Sequence, residues 1–363
     1  MPIAPAPQPR RIVMVAHSRK LGGIERHVLA LSAALHEAGH SIAFAGPCAG
    51  WLGQAMVSAG HDAIDLPMRG MYDALSAWRL RRFARRWRAD LLHGHAQRGT
   101  RYAQWAATAS CPAIGTAHAT NASKWFARDT PIIAVSAAVR DFLAAQDGAP
   151  QRLDLVYPGV ADLGLAPPPD PAPISASRPL MLGMLARLQP VKGHDIALAA
   201  LALLPPDLPV RLAFIGPDDT EWAQQMKARV AQDGLSDRVA FWGARSDIQA
   251  VFAQMDIMLA PSRREALCLS LIEAGAAGRP GIGADIGGIP EVITHGQSGL
   301  LVPPENPAAL ADAIIRLASD PGLRHRMGQA ARAVFEARFT RSAMVRGTEA
   351  CYDRAIAAAK GLG

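Results

Sequence analysis

Two carboxylates, Glu265 and Glu273, bracket a mostly apolar run, Ala266-Leu267-Cys268-Leu269-Ser270-Leu271-Ile272. A strand-like segment, 257–260, leads in. A helix-like segment, 271–277, leads out, and Gly278-Arg279-Pro280 stops it. A strand, a short loop and a helix N-terminus form the usual phosphate site of an open α/β sheet, because backbone N–H groups point outward and the helix dipole favours an anion. Carboxylates flanking such a site cannot bind phosphate, but they accept hydrogen bonds from hydroxyls. Glu265 before the turn and Glu273 after it could hold two hydroxylated groups on either side of a diphosphate, which is the shape of a nucleotide-sugar. Taken alone, the spacing fits a loop charge and a solvated glutamate equally well, so the flanking sequence has to decide.

Arg187 and Lys192 follow the strand-like run 180–185 and precede a helix-like run, 195–204. Two cations in a loop beside a helix start can clamp a diphosphate, Arg with a planar fork of donors and Lys with a movable point charge. If a sugar–diphosphate bond breaks, charge grows on the leaving oxygen, and fixed cations there stabilise the transition state more than the ground state. Three histidines stand at strand ends: His93 and His95 close the run 90–95, and His118 closes 113–118. Residues at the carboxyl ends of parallel strands line the crevice of an open sheet. Alternation puts His93 and His95 on one face, but no nearby carboxylate or cysteine completes a metal site, so none is expected.

Apolar runs at 11–16, 41–46, 63–66, 90–95, 113–118, 131–136 and 153–160 alternate with helical patterns at 24–35, 78–88 and 137–146. Gly22-Gly23 precedes the first helix and puts unobstructed backbone at its N-terminus, without forming the G-x-G-x-x-G dinucleotide fingerprint. Leu165-Ala166-Pro167-Pro168-Pro169-Asp170-Pro171-Ala172-Pro173 reads as a linker. After it the alternation restarts, with strands at 180–185, 210–215, 239–243, 257–260, 280–284 and 299–302. Helices are expected at 195–204, 224–232, 248–255, 271–277, 308–317, 324–335 and about 343–359. This is an α/β chain of two doubly wound domains, bounded near 1–165 and 175–342.

The net charge of +7 is uneven: residues 1–150 carry 17 Lys/Arg against 9 Asp/Glu, and the remainder 21 against 22. A basic half can face an acidic substrate, nucleic acid or an anionic membrane. The run 78–88 holds six arginines with Trp78, Leu80, Phe83 and Trp87 near helical spacing. Such a helix either docks on the sheet or lies on an anionic bilayer. Nucleic acid is disfavoured because no aromatic stacking platform accompanies the charge. Cys48, Cys111, Cys268 and Cys351 have neither metal nor disulfide spacing. No apolar run approaches the ~20 residues of a membrane span, and the proline-rich start lacks a signal-peptide core. The expected location is the cytoplasm, peripheral to the inner face of the cell membrane.

Together these residues resemble retaining glycosyltransferases of the GT-B fold, family four. The resemblance runs nearly end to end: Gly22-Gly23 with Glu25, His118, Ala134-Val135-Ser136, Pro158-Gly159-Val160, Arg187-Leu188 with Lys192-Gly193, Glu265 to Glu273, Gly287-Gly288-Ile289-Pro290-Glu291 and Gly299-Leu300-Leu301-Val302-Pro303. It implies that Arg187 and Lys192 bind the donor diphosphate, that Glu273 accepts from the ribose hydroxyls and that Glu265 contacts the transferred sugar. It also implies that the backbone at Leu269 and Ser270 holds phosphate and sugar, that Gly22 and Gly23 let the first domain approach the phosphates, and that His118 lies beside the sugar. His118, Arg187, Lys192 and Glu265 are thus the implied catalytic set. The implied donor is a UDP-sugar or GDP-sugar, with no further cofactor and no metal. The basic first half and its Trp/Arg helix suggest an acceptor on the first domain, a glycan or lipid-linked molecule of lipopolysaccharide or other cell-envelope synthesis. The last helix is expected to pack back on the first domain. Ala266 and Cys268 depart from the family's glycines and narrow the space at the sugar. A UDP-sugar 2-epimerase of the same fold, or a non-catalytic nucleotide-sugar or nucleic-acid binder, remains an alternative that donor turnover with and without acceptor would separate.

Overall fold

The chain's apolar runs assemble into two parallel sheets. The structure, a computed structural model, describes residues 8–18, 22–120, 126–165 and 174–361. The first sheet contains β1 (Arg11–Val15), β2 (Ser41–Gly46), β3 (Asp62–Asp65), β4 (Leu91–His95), β5 (Ala113–Ala117), β6 (Ile132–Ala134) and β7 (Leu153–Leu155), in the order β3-β2-β1-β4-β5-β6-β7. The second contains β8 (Leu180–Leu185), β9 (Val210–Ile215), β10 (Val239–Gly243), β11 (Ile257–Ala260), β12 (Gly281–Ala284) and β13 (Gly299–Val302), in the order β10-β9-β8-β11-β12-β13. Helices cover both faces of such sheets, which is why β8 and β11 read as unbroken apolar runs and not as alternation. The order reverses between β1 and β4 in one sheet and between β8 and β11 in the other. Open α/β sheets bind ligands beyond the strand ends at such reversals. The loops that carry Arg187, Lys192 and Glu265 follow β8 and β11.

The chain divides into two compact units. Residues through Gly159 and the segment from Arg341 form the first, and Val160–Thr340 forms the second. The segment around Val160 belongs with the second unit: the Val160 N–H donates to the Phe339 carbonyl at 3.0 Å. Asp162 is held by the Arg332 guanidinium. The crossover thus precedes the boundary expected at 165, and the proline run 166–173 lies outside the described residues. The helix Arg341–Ala359 packs on the helix Gly23–Glu37 of the first unit. Met344, Tyr352 and Ala355 join Ile12, Val28, Leu31 and Phe44 in one core. Polar contacts fix its register: His40 Nε2 to Glu349 Oε1 at 2.9 Å, His93 Nδ1 to the Tyr352 hydroxyl at 2.7 Å, and Arg354 to Asp154 at 2.8 Å.

The core of the second unit gathers Leu182, Met184, Leu198, Phe214, Leu259 and Ile314. Fully burying each such side chain contributes roughly 1.5–3 kcal/mol. His194 is treated as an apolar filler there. It is fully buried, its ring stands edge-on to Phe214 with centroids 5.0 Å apart, and burial lowers its pKa to about 4.

The arginine-rich helix spans Ala74–Trp87, and Asp73 caps it through the Ser76 N–H. Its apolar stripe is mostly spent on the sheet. Leu80 and Ala84 are buried and Phe83 and Trp87 pack on the same core. Trp87 also donates to Asp62 at 2.7 Å and lies under the Arg11 guanidinium. Of the four residues of the expected stripe, Trp78 alone is largely outside, 55% exposed. Leu75 and Tyr72, 64% and 68% exposed, accompany it at the helix start.

Candidate functional site

In the second unit, the loop after β8 tightens into a single helical turn, Pro190–Lys192, and closes on Gly193. Gly193 has φ of +74°, and a Cβ there would stand 2.0 Å from the Pro261 carbonyl oxygen. Only glycine lets this loop press so closely on the loop after β11. Arg263 then bolts the two loops together. Its N–H donates to the Val191 carbonyl at 2.9 Å. Its guanidinium donates to the Pro190 carbonyl, to both oxygens of Asp195 and to both oxygens of Glu305, at 2.7–3.1 Å. Those bonds hold its pKa above the ordinary arginine value and commit the side chain to structure.

Lys192 is brought to Glu265. Nζ donates to Oε2 at 2.5 Å, and the two side chains are 23% and 10% exposed. Burial alone would lower the lysine pKa, but the Glu265 carboxylate outweighs it and leaves the ammonium more firmly protonated than usual. Arg187, exposed in the same loop, lies near enough to oppose that protonation weakly. The Glu265 peptide is itself held from behind. Gly287, at φ of +52°, would place a Cβ 1.9 Å from the Glu265 carbonyl oxygen, and the Gly288 N–H donates to that oxygen at 3.3 Å.

The helix Leu269–Ala276 begins two residues earlier than its apolar pattern implied. Leu269 and Ser270 are therefore its first residues, where N–H groups have no partner within the helix. Half-buried Glu273 falls in the second turn. Cys268, the residue before the helix, is buried and lies 3.4 Å from the Ser270 hydroxyl, and burial raises its thiol pKa to about 11. It is an inert spacer and not a nucleophile. Lys192, Glu265, nearby Arg187 and Cys268 at the start of the helix thus meet at the reversal point of the second sheet, and Glu273 stands one turn into that helix. Asp218, in the loop after β9, pairs with Lys227 at 2.6 Å.

In the first unit, Gly22 caps the helix Gly23–Glu37 in extended backbone with φ of −158°. A Cβ at Gly22 would meet the Glu25 carboxylate at 2.8 Å, whereas at Gly23 it would meet nothing within 4 Å. Gly23 therefore leaves open space at a helix start. His118 directly follows β5, half-buried, with Nε2 3.3 Å from His95 Nδ1. His27, which nothing in its helical surroundings marks out in the sequence, completes the group, its ring 5.0 Å from that of His118. Burial first, then the neighbouring rings, hold His118 and His95 far below the usual imidazole pKa. His118 is accordingly a neutral donor or acceptor and not a cation. His93 is occupied by Tyr352 and by Thr116, at 2.6 Å from the latter, and serves the fold.

Residues 171–334 match the family described as glycosyl transferases group 1, and residues 21–162 match glycosyltransferase family 4. A D-inositol 3-phosphate glycosyltransferase of Corynebacterium glutamicum is 34% identical over 206 residues, covering 53% of this chain and 49% of the relative. The chain thus spans about half the length of the curated relatives it matches. Among solved structures, a Rickettsia africae glycosyltransferase superposes with a TM-score of 0.84 at 21% identity, covering 96% of this chain and 99% of that one. Anabaena HepE in complex with UDP superposes with a TM-score of 0.82 at 20% identity, covering 95% and 100%, and the same protein is also solved with UDP-glucose. Two parallel sheets with this order, and family matches in each half, place the chain among the group 1 glycosyltransferases of the GT-B fold.

Proposed function

We propose that this chain moves a hexose from a nucleotide-diphospho-sugar, a UDP-sugar or GDP-sugar, to a glycan or lipid-linked acceptor of the cell envelope, such as lipopolysaccharide. The observation that carries the reading is the Lys192–Glu265 pair set beside the helix N-terminus at Leu269. The diphosphate lies on that N-terminus with Lys192 and Arg187 on its oxygens, Glu273 takes the ribose hydroxyls, and Glu265 takes hydroxyls of the sugar. As the sugar–oxygen bond lengthens, the cations and the helix N–H groups stabilise the leaving diphosphate. Among the described residues no side chain is singled out as a nucleophile, so the acceptor hydroxyl attacks from the face the diphosphate leaves, and its proton passes to the departing phosphate oxygen. Retention of configuration and independence from a metal ion belong to this reading. Ala266 and Cys268, larger than glycine, restrict which sugar fits.

A panel of UDP-, GDP- and ADP-sugars tests it by thermal shift. One class should raise the melting temperature, and Glu273→Ala should abolish most of that shift. Donor consumed only in the presence of acceptor supports transfer. Epimerised donor without acceptor would favour the 2-epimerase, and a panel with no shift would defeat the nucleotide-sugar reading.

The acceptor side of the proposal is the helix Ala74–Trp87. Trp78, Leu75 and Tyr72 are exposed beside Arg79, Arg82 and Arg101. The Arg101 guanidinium lies 4.4 Å from the Trp105 ring centroid and 5.1 Å from that of Tyr72. Aromatic rings beside arginines suit an anionic lipid surface, where each basic residue contributes about 1 kcal/mol. Among the described residues no helix is long and apolar enough to cross a membrane. Replacing Arg81, Arg82, Arg85 and Arg86 with glutamate should release the protein from anionic liposomes in a flotation assay. Unchanged flotation would remove this surface from the account.

A further inference from the structure

We propose that His27, His95 and His118 form a binding site for a divalent transition-metal ion of the zinc class, inside the first unit. One ring nitrogen from each residue can be chosen so that all three lie within 4.8 Å of one another. One pair, His95 Nδ1 and His118 Nε2, is 3.3 Å apart. Zinc–imidazole bonds of about 2.0–2.1 Å in a tetrahedral site put two ligand nitrogens about 3.3–3.4 Å apart, so this pair already has the spacing of a chelate.

The surroundings point the same way. His27 Nδ1 and His95 Nε2 are buried without a hydrogen-bond partner among the described residues. Leaving such atoms unpaired costs about 1–3 kcal/mol each, and a ligand at the site offers a partner for at least one of them. The hydrogen between His95 Nδ1 and His118 Nε2 has to shift to the far nitrogen of its own ring when both nitrogens bind an ion. His93, whose ring is 4.2 Å from that of His95, is excluded because both its nitrogens are already bonded. Three histidines with one of them half-exposed leave a position for water, the ligand set of an open zinc site.

The site shares His118 with the transfer reaction proposed above. A metal ion on Nε2 withdraws that nitrogen from the sugar, so occupancy should inhibit transfer and not support it. Binding is tested apart from transfer. Metal-free protein is titrated with Co²⁺, followed by the visible bands of four-coordinate cobalt, and with Zn²⁺ by calorimetry, with no donor present. One equivalent should bind at micromolar concentration or tighter. His27→Gln and His95→Gln should each weaken binding at least about tenfold. His61→Gln, which alters an imidazole pair with His36 elsewhere in the unit, should not. Far-UV circular dichroism confirms that the variants fold. Absence of stoichiometric binding by the unmodified protein, or equal affinity in the His27 and His95 variants, overturns the site. Failure to find any sugar donor would leave the cobalt result standing.

Discussion

Lys192→Ala is expected to lower transfer by about 10²–10³ in kcat, the effect of deleting one preorganised charge from a transition state. Before donor binds, the Lys192 ammonium is neutralised by Glu265 at 2.5 Å. An incoming diphosphate has to share that ammonium, and the sharing grows as negative charge moves to the leaving oxygen. The same substitution leaves Glu265, with its side chain only 10% exposed, without its cation. Some stability should therefore be lost as well, on the order of 1–3 kcal/mol. Pairing Lys192→Ala with Glu265→Gln separates the two effects. The double variant should recover most of the denaturant stability and none of the turnover. Steady-state kinetics and urea melts on the three proteins check this. Near-normal turnover in folded Lys192→Ala would end the leaving-group role.

Gly287→Ala should be, with Gly193→Ala, among the most damaging single methyls in the second unit. Left-handed backbone costs an alanine about 1–2 kcal/mol, and overpacking against a fixed carbonyl adds about 1–3 kcal/mol. The added carbon would stand 1.9 Å from the Glu265 carbonyl oxygen. Relief requires moving the Glu265 peptide, and with it the partner of Lys192. Both melting temperature and donor affinity should fall. Gly296→Ala is the control: its φ is +77°, but nothing lies within 4 Å of the added carbon. It should pay the backbone cost alone and keep donor affinity. Equal losses in the two variants would show that contact with Glu265 is irrelevant.

Strand positions were legible because each strand is an apolar run bounded by glycine, proline or charge. The helix Ala96–Ala106 was not. It begins straight after β4 at Ala96, whose φ is +55°, with no capping side chain and with Gly99 and Thr100 inside it. Gly99 is there because a Cβ would stand 2.2 Å from the Val15 carbonyl oxygen, a packing constraint invisible to periodicity. The arginine-rich helix was recognised, but spacing could not say that Leu80, Phe83 and Trp87 face the sheet while Trp78 does not. In the site, Lys192 and Glu265 were readable as types at loop positions. Arg263 was not singled out, because its role is fixed by Asp195 and Glu305, distant in sequence. His27 carried no local signal at all. It meets His95 and His118 only because β4 and β5 are neighbours in the sheet beside the helix Gly23–Glu37.

The return of the helix Arg341–Ala359 to the first unit has a consequence for synthesis. As the chain emerges from the ribosome at about 5–20 residues per second, everything through Thr340 is delivered before Tyr352 can reach His93 or Glu349 can reach His40. The half made first is thus the half completed last. Nascent chains stalled short of Tyr352 should already protect β8–β13 from protease while β1–β7 are still cut.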